Sequence, residues 1–178
     1  MVDGVEYRVN TDFRDCLRTM LAFEDNDLTP QEKQLVLLQN LYVGVPPNMA
    51  AATRAAVEFL NGGSAKDGSG PRLYSFGQDA GMIFSAFRQT HGIDLETASL
   101  HWWKFLALFF DLGADTTCCN LVSLRKRVKT GKASKEERAA AREMGEAFGV
   151  PELDERTLDE KEQEAEFMRL LESNNGRL

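Results

Sequence analysis

Cysteine is scarce in this sequence: three residues in 178, two of them neighbours at Cys118 and Cys119. An odd, sparse set excludes the disulfide framework of a small secreted domain and fits a reducing compartment. Adjacent thiols match neither the ligand spacing of a zinc site nor a redox pair with two intervening residues. Histidine is rarer still. His91 and His101 fall on different expected elements, and neither has a third ligand spaced beside it. No apolar run reaches the ~18 residues that span a bilayer. The opening Met1-Val2-Asp3-Gly4 has neither the basic start nor the apolar stretch of a secretory signal. Gly77 and Gly81 do not belong to a phosphate loop, because no glycine-rich turn leads into Lys-Ser/Thr. Asp94 and Glu96 could pair as acid and base, but capping and solvent exposure account for them in an acidic chain. Serine-nucleophile motifs are absent. The expectation is therefore no catalytic residue, no metal, no cofactor and no enzymatic activity.

What is present describes an acidic helical protein. The net charge of −7 favours solubility and argues against a dedicated nucleic-acid binder. One local patch runs the other way: Arg125, Lys126, Arg127 and Lys129, with Lys132 beyond, could contact phosphates. No aromatic residues interleave with it for base stacking. From Pro151 onward nine acidic residues face four basic ones, enough to neutralise the run intramolecularly. A solvated or paired face is the simpler reading, and nucleic acid and membrane are not expected partners.

Start and stop signals divide most of the chain into helices. Alternating Val5, Tyr7 and Val9 after Asp3-Gly4 predict a short N-terminal strand or hairpin. Thr11 is placed to cap a first helix with Phe13, Cys16, Leu17, Met20 and Leu21 on one stripe. Thr29-Pro30-Gln31-Glu32 is a capping box opening a second helix to about Tyr42. Asn48 caps a third, closed by Asn61-Gly62-Gly63. Residues 62–72 read as a flexible glycine- and serine-rich connector. Ser75 with Gln78 predicts another capping box, and Ala80, Ile83, Phe84 and Phe87 form the face of a fourth helix that stops at Gly92. A fifth, residues 99–112, is apolar nearly all round and belongs in the core or half under another chain. Leu121, Leu124 and Val128 mark a sixth. Ser134 to Glu137 opens a seventh carrying Met144 and Phe148. A last box, Thr157 to Glu160, precedes a weak stripe of Leu158, Ala165, Met168 and Leu171. The expected fold is mainly α: about seven helices, a helical core domain over residues 1–130 and a charged helical extension over residues 131–178.

Both tryptophans, both histidines and six of the eleven phenylalanines lie between residues 74 and 112. Aromatics carry the largest apolar area per residue, so this stretch is expected to centre the core or to dock a partner. The core is predicted on Phe84, Phe87, Trp103, Leu106 and Phe110. Trp102 and Trp103 point about 100° apart on a helix, so one can be buried while the other faces a groove. Trp102, Trp103, Phe105 and Phe109 are the candidate partner-binding residues, since tryptophan and large aromatics are enriched at binding hot spots. His101 is expected to hydrogen-bond at the helix start.

Several segments together carry a resemblance. They are residues 5–14 (Val5-Glu6-Tyr7-Arg8-Val9-Asn10-Thr11-Asp12-Phe13-Arg14), Pro46-Pro47-Asn48, Tyr74-Ser75-Phe76 with Asp79-Ala80, and Ile83-Phe84-Ser85-Ala86-Phe87. Gly92-Ile93-Asp94-Leu95 and Leu100-His101-Trp102-Trp103-Lys104-Phe105 with Ala107-Leu108-Phe109 complete the set. The chain resembles, over roughly residues 5–130, the gene-product-fifteen family of long-tailed phages and prophages of Gram-positive bacteria. The residues 62–70 loop departs from that pattern, as does the acidic stretch after Pro151. The resemblance implies no enzymatic activity, and genes lying between those for the tail tube and the tape measure. The implied role is a tail-assembly chaperone or accessory factor in the host cytoplasm, with the tape-measure protein or other tail proteins as partners and a homo-oligomer as an option. A structural tail or head–tail component retained in the virion is the alternative, and a nucleic-acid-binding regulator a third.

Overall fold

Local capping chemistry sets most of the helix starts in this computed structural model, which describes residues 1–64 and 70–152. Helix α1, Phe13–Glu24, begins at Asp12, whose carboxylate accepts from the Arg14 amide at 2.9 Å. The expected cap one residue earlier, Thr11, is not used. Its carbonyl accepts the Trp102 amide at 2.7 Å, which ties that residue to the start of the aromatic helix. Helix α2, Pro30–Leu41, carries the full Thr29–Glu32 capping box, and α3, Met49–Leu60, starts under the Asn48 side chain. Helix α4, Ala80–His91, starts later than its sequence signal. Ser75 Oγ does accept the Gln78 amide, but only as a turn, because the Gln78 side chain is drawn away to carbonyls 146, 147 and 149. At its far end Gly92 takes φ 66, the left-handed geometry that closes a helix.

Helix α5, Trp102–Phe110, is shorter than expected, with His101 Nδ1 accepting the Trp103 amide as its cap. Thr116 caps α6, Thr117–Lys129, and the Ser134–Glu137 box opens α7, Lys135–Met144. Helix α7 does not reach Phe148. Gly145 turns to φ 57 and a 3-10 turn, Gly145–Ala147, follows.

The N-terminal hairpin does not form. Among the described residues there are three isolated bridges and no sheet. Val2 pairs with Val5 across the Asp3-Gly4 turn, and Val9 pairs once with Tyr42, where the neighbouring chain is the end of α2 and offers no further ladder. No helix among the described residues is long and apolar enough to cross a membrane. The expected box at Thr157–Glu160, the stripe of Leu158, Ala165, Met168 and Leu171, and residues 65–69 of the connector lie outside the described residues.

The helices pack in a chain of neighbours, α1 on α2, α2 on α3, α1 and α4 on α5, α4 on α6, and α6 on α7. At the centre the Phe105 ring stacks on Phe13 at 5.2 Å, Phe87 at 5.0 Å and Trp102 at 5.4 Å. Burying each such ring contributes roughly 1.5–3 kcal/mol, and near-parallel rings add to it. The predicted core is right at Phe87 and one residue out of phase along α5. Trp102, Phe105 and Phe109 are buried, whereas Trp103 is 46% and Phe110 74% exposed, and Phe84 and Leu106 are half-buried.

Candidate docking grooves beside the aromatic helix

The two adjacent tryptophans share one structural task. Trp102 donates its indole N–H to the Leu60 carbonyl at 2.9 Å, and Trp103 donates to the Phe59 carbonyl at 2.8 Å. Those oxygens belong to the last turn of α3, where helical carbonyls have no partner within the helix. Trp103 also lies 5.6 Å from the Phe59 ring and against Gly63, where a Cβ would come within 3.7 Å of the indole. It is thus exposed on one face and engaged on the other.

The basic run is broken up in the same way. Arg125 is 1% exposed and faces inward. Its guanidinium grips Asp79 in a two-point pair, 2.6 Å and 3.0 Å, and Asp79 also accepts the Ser75 amide. The remaining donors reach the carbonyls of Leu73 (3.1 Å), Ala147 (3.0 Å) and Phe148 (2.6 Å). Arg127 pairs with Glu137, and Lys129 donates to the Arg72 carbonyl. Of the four, Lys126 keeps an exposed side chain with no such engagement among the described residues. The sequence reading of a cationic face therefore needs correcting at Arg125, which is a buried tie between three separate segments. A signal existed: Cys118, Leu121 and Arg125 follow i, i+3, i+7 spacing, and all three are buried.

The exposed Phe110 opens onto an apolar groove of about 620 Å³. One wall is Met20 and Glu24 of α1, a second is Leu73, Tyr74 and Phe76 of the incoming chain, and Phe109, Leu112 and Val122 complete the floor and far side. Tyr74 packs edge-on against Phe109 at 5.0 Å and Phe76 at 5.3 Å. Burial pushes the Tyr74 phenol above its ordinary pKa, with the Glu24 carboxylate adding to the rise, so it stays neutral. Glu24 builds the rim. Its carboxylate accepts from Ser75 Oγ at 2.6 Å and from the Phe76 and Gly77 amides, and it is in ion-pair contact with Arg72 Nη2, without hydrogen-bond alignment at that nitrogen. A second groove of about 460 Å³ lies on the other side of Phe76, between Phe13 and Leu17 of α1, Gly81 and Phe84 of α4, and Leu95.

No group of histidine, cysteine and carboxylate side chains among the described residues is arranged to hold a metal ion. His91 Nε2 meets the Leu108 carbonyl at 2.9 Å. Burial pushes the Cys16 thiol up to about 12 and the Cys118 thiol up to about 11, with neighbouring Asp15 and Cys119 respectively adding to the rise. Both are protonated near neutrality, the unreactive form. Asp94 caps its own turn, accepting from the Glu96 amide at 3.0 Å and pairing with Arg88.

Of the four aromatic candidates, Trp102, Phe105 and Phe109 are core and Trp103 stays half at the surface. Phe110, assigned to the core from the sequence, is the ring that faces out. No curated protein and no solved structure matches the chain. A family model described as Bacteriophage Gp15 protein matches residues 1–149.

Proposed function

Since the chain belongs to the bacteriophage Gp15 protein family, we propose that it serves phage tail assembly as a non-catalytic chaperone or accessory factor. In this reading it works in the host cytoplasm and holds apolar helical segments of the tape-measure protein until tail-tube subunits enclose them. Phe110 carries the argument. It is 74% exposed beside an open, mainly apolar groove, an arrangement that favours a partner able to cover it. Laying an amphipathic helix into an apolar groove is a common mode of peptide recognition. The net charge of −7 helps keep such a complex dissolved.

Co-expression with the tape-measure protein is the test. The expected result is a soluble complex that co-purifies, and that Phe110→Ser weakens. Equal solubility of the tape-measure protein with and without this chain, and no co-purification, would refute the proposal. The rival, a tail or head–tail component, is separated by analysing purified virions, because a chaperone leaves and a component stays.

A further inference from the structure

We propose that the groove beside Phe110 has an occupant within this chain. Residues 153–178 seat Phe167, Met168, Leu170 and Leu171 there while no partner is bound, so that a partner has to displace them. This adds regulation to the chaperone reading and rests on it for the identity of the displacing partner.

The end of the described chain lies at the rim of this groove. The Pro151 carbonyl accepts from Arg72 Nη1 at 2.8 Å, and Arg72 lines the groove. The Glu152 carbonyl accepts from Asn26 at 2.9 Å, two residues beyond Glu24 of the groove wall. Two successive anchors thus start the segment beside the cavity. Residues 153–178 lie outside the described residues, and Phe167-Met168-Arg169-Leu170-Leu171 is their densest apolar stretch. Fifteen residues run from Glu152 to Phe167, and even at the rise of a helix they span about 22 Å. That is enough to cross a groove of about 620 Å³. A short tether also holds the stretch near the groove at an effective concentration on the order of millimolar, so modest apolar contact suffices to cover it.

Charge favours the same segment. Glu24 and Arg72 pair with each other and need no counter-charge from an occupant. The unpaired charge adjoining the groove is positive. Val122 of α6 lines the groove, and Lys126 and Lys129 follow at i+4 and i+7, on the same face of that helix. Both lysines are exposed and without a carboxylate partner among the described residues. Lys129 Nζ reaches the Arg72 carbonyl at 2.7 Å, which places it at the rim. In the segment, Glu160, Glu162, Glu164 and Glu166 lead directly into Phe167. Carboxylates beside lysines are complementary. The second groove has exposed Glu96 in its lining and would repel the same residues.

The test uses the full chain throughout. Phe110, at a 74% exposed position, is replaced by the photocrosslinker benzoylphenylalanine. Irradiation is expected to give a crosslink at the mass of one chain, to the tryptic peptides that carry Phe167, Met168, Leu170 and Leu171. Lys126→Glu/Lys129→Glu should lower its yield severalfold, since two exposed attractions become repulsions. In the chain without crosslinker, Phe167→Ser/Met168→Ser/Leu170→Ser/Leu171→Ser alters no described residue. It should at least about double the emission of bis-ANS, an apolar dye suited to a pocket of this volume. Crosslinks confined to other parts of the chain, or an unchanged yield or dye emission in these variants, overturn the proposal. So do crosslinked dimers in place of monomers, which would make a second copy the occupant. A crosslink that persists with the tape-measure protein bound overturns this inference and leaves the chaperone reading standing. The expected crosslink without co-purification of the tape-measure protein retains the cover and removes the tape-measure reading.

Discussion

Replacing Arg125 by methionine removes the charge and the fork of donors while keeping much of the side-chain length. Asp79 would then be a buried carboxylate with only the Ser75 amide among its present partners, and the Leu73, Ala147 and Phe148 carbonyls would each lose a donor. Breaking one partner out of a buried ion pair costs about 3–5 kcal/mol, a large share of the 5–15 kcal/mol that typically holds a domain together. At roughly 2–4 °C per kcal/mol for a chain of this size, the melting temperature should fall by about 6–20 °C. Thermal and urea unfolding by circular dichroism measure it. Arg125→Lys should recover little, because an ammonium cannot pair both carboxylate oxygens and reach the carbonyls in fixed geometry. Lys126→Met, next door and exposed, should stay within about 0.5 kcal/mol of the parent. Arg125→Leu/Asp79→Leu should regain part of the loss, since no charge is left stranded. An Arg125→Met protein melting within ~2 °C of the parent would refute the reasoning.

The tryptophans should separate by burial. Trp102→Phe strands the Leu60 carbonyl in the core and is expected to cost about 1–3 kcal/mol, while at Trp103 water can replace the indole and the cost should stay below about 1 kcal/mol; equal losses in urea unfolding would contradict this. Glu32 and Glu137 are held below the ordinary carboxylate pKa, first by the backbone amides of Thr29 and Ser134, with the Arg127 side chain aiding Glu137. Their folded values are depressed, so their contribution is present above the unfolded value and disappears as pH falls through the folded one. The Glu32→Gln/Glu137→Gln variant should therefore show a shallower loss of stability on acidification, and parallel melting curves from pH 6 to pH 3 would count against it. Cys16 and Cys118, with thiols pushed up to about 12 and about 11, should resist iodoacetamide at pH 8 in the native chain, and rapid labelling of both by mass spectrometry would be the contrary result.

Features that depend on a few neighbouring residues were legible in the sequence. The capping boxes at Thr29–Glu32 and Ser134–Glu137 are where the spacing places them, as are Asn48 and Gly92, because their chemistry closes within one turn. The phase of α5 was not legible. With apolar residues at 102, 103, 105, 106, 108, 109 and 110, both Trp103-Leu106-Phe110 and Trp102-Phe105-Phe109 form a stripe. Only the positions of α1, α3 and α4 select the second. The burial of Arg125 was marked by its spacing from Cys118 and Leu121, but its role was not legible, for a related reason. Its partner Asp79 lies 46 residues away, and three adjacent basic residues look alike until one of them meets a buried carboxylate. The grooves were invisible because each is assembled from elements far apart in the chain, with Phe76 as their common wall.

The tie at Arg125 also has a mechanical consequence. Its guanidinium, together with Gln78, engages carbonyls from 146 to 149, and the family match ends at residue 149. Tension applied at residue 152 would first meet the Glu152 and Pro151 carbonyls, held by Asn26 and Arg72, and then the Arg125 and Gln78 contacts. The force would pass sideways into α6 and the segment leading into α4 before it could unwind α7. A pull at residue 152 would therefore bear on the side of the helical body, with α7 shielded behind the anchorage.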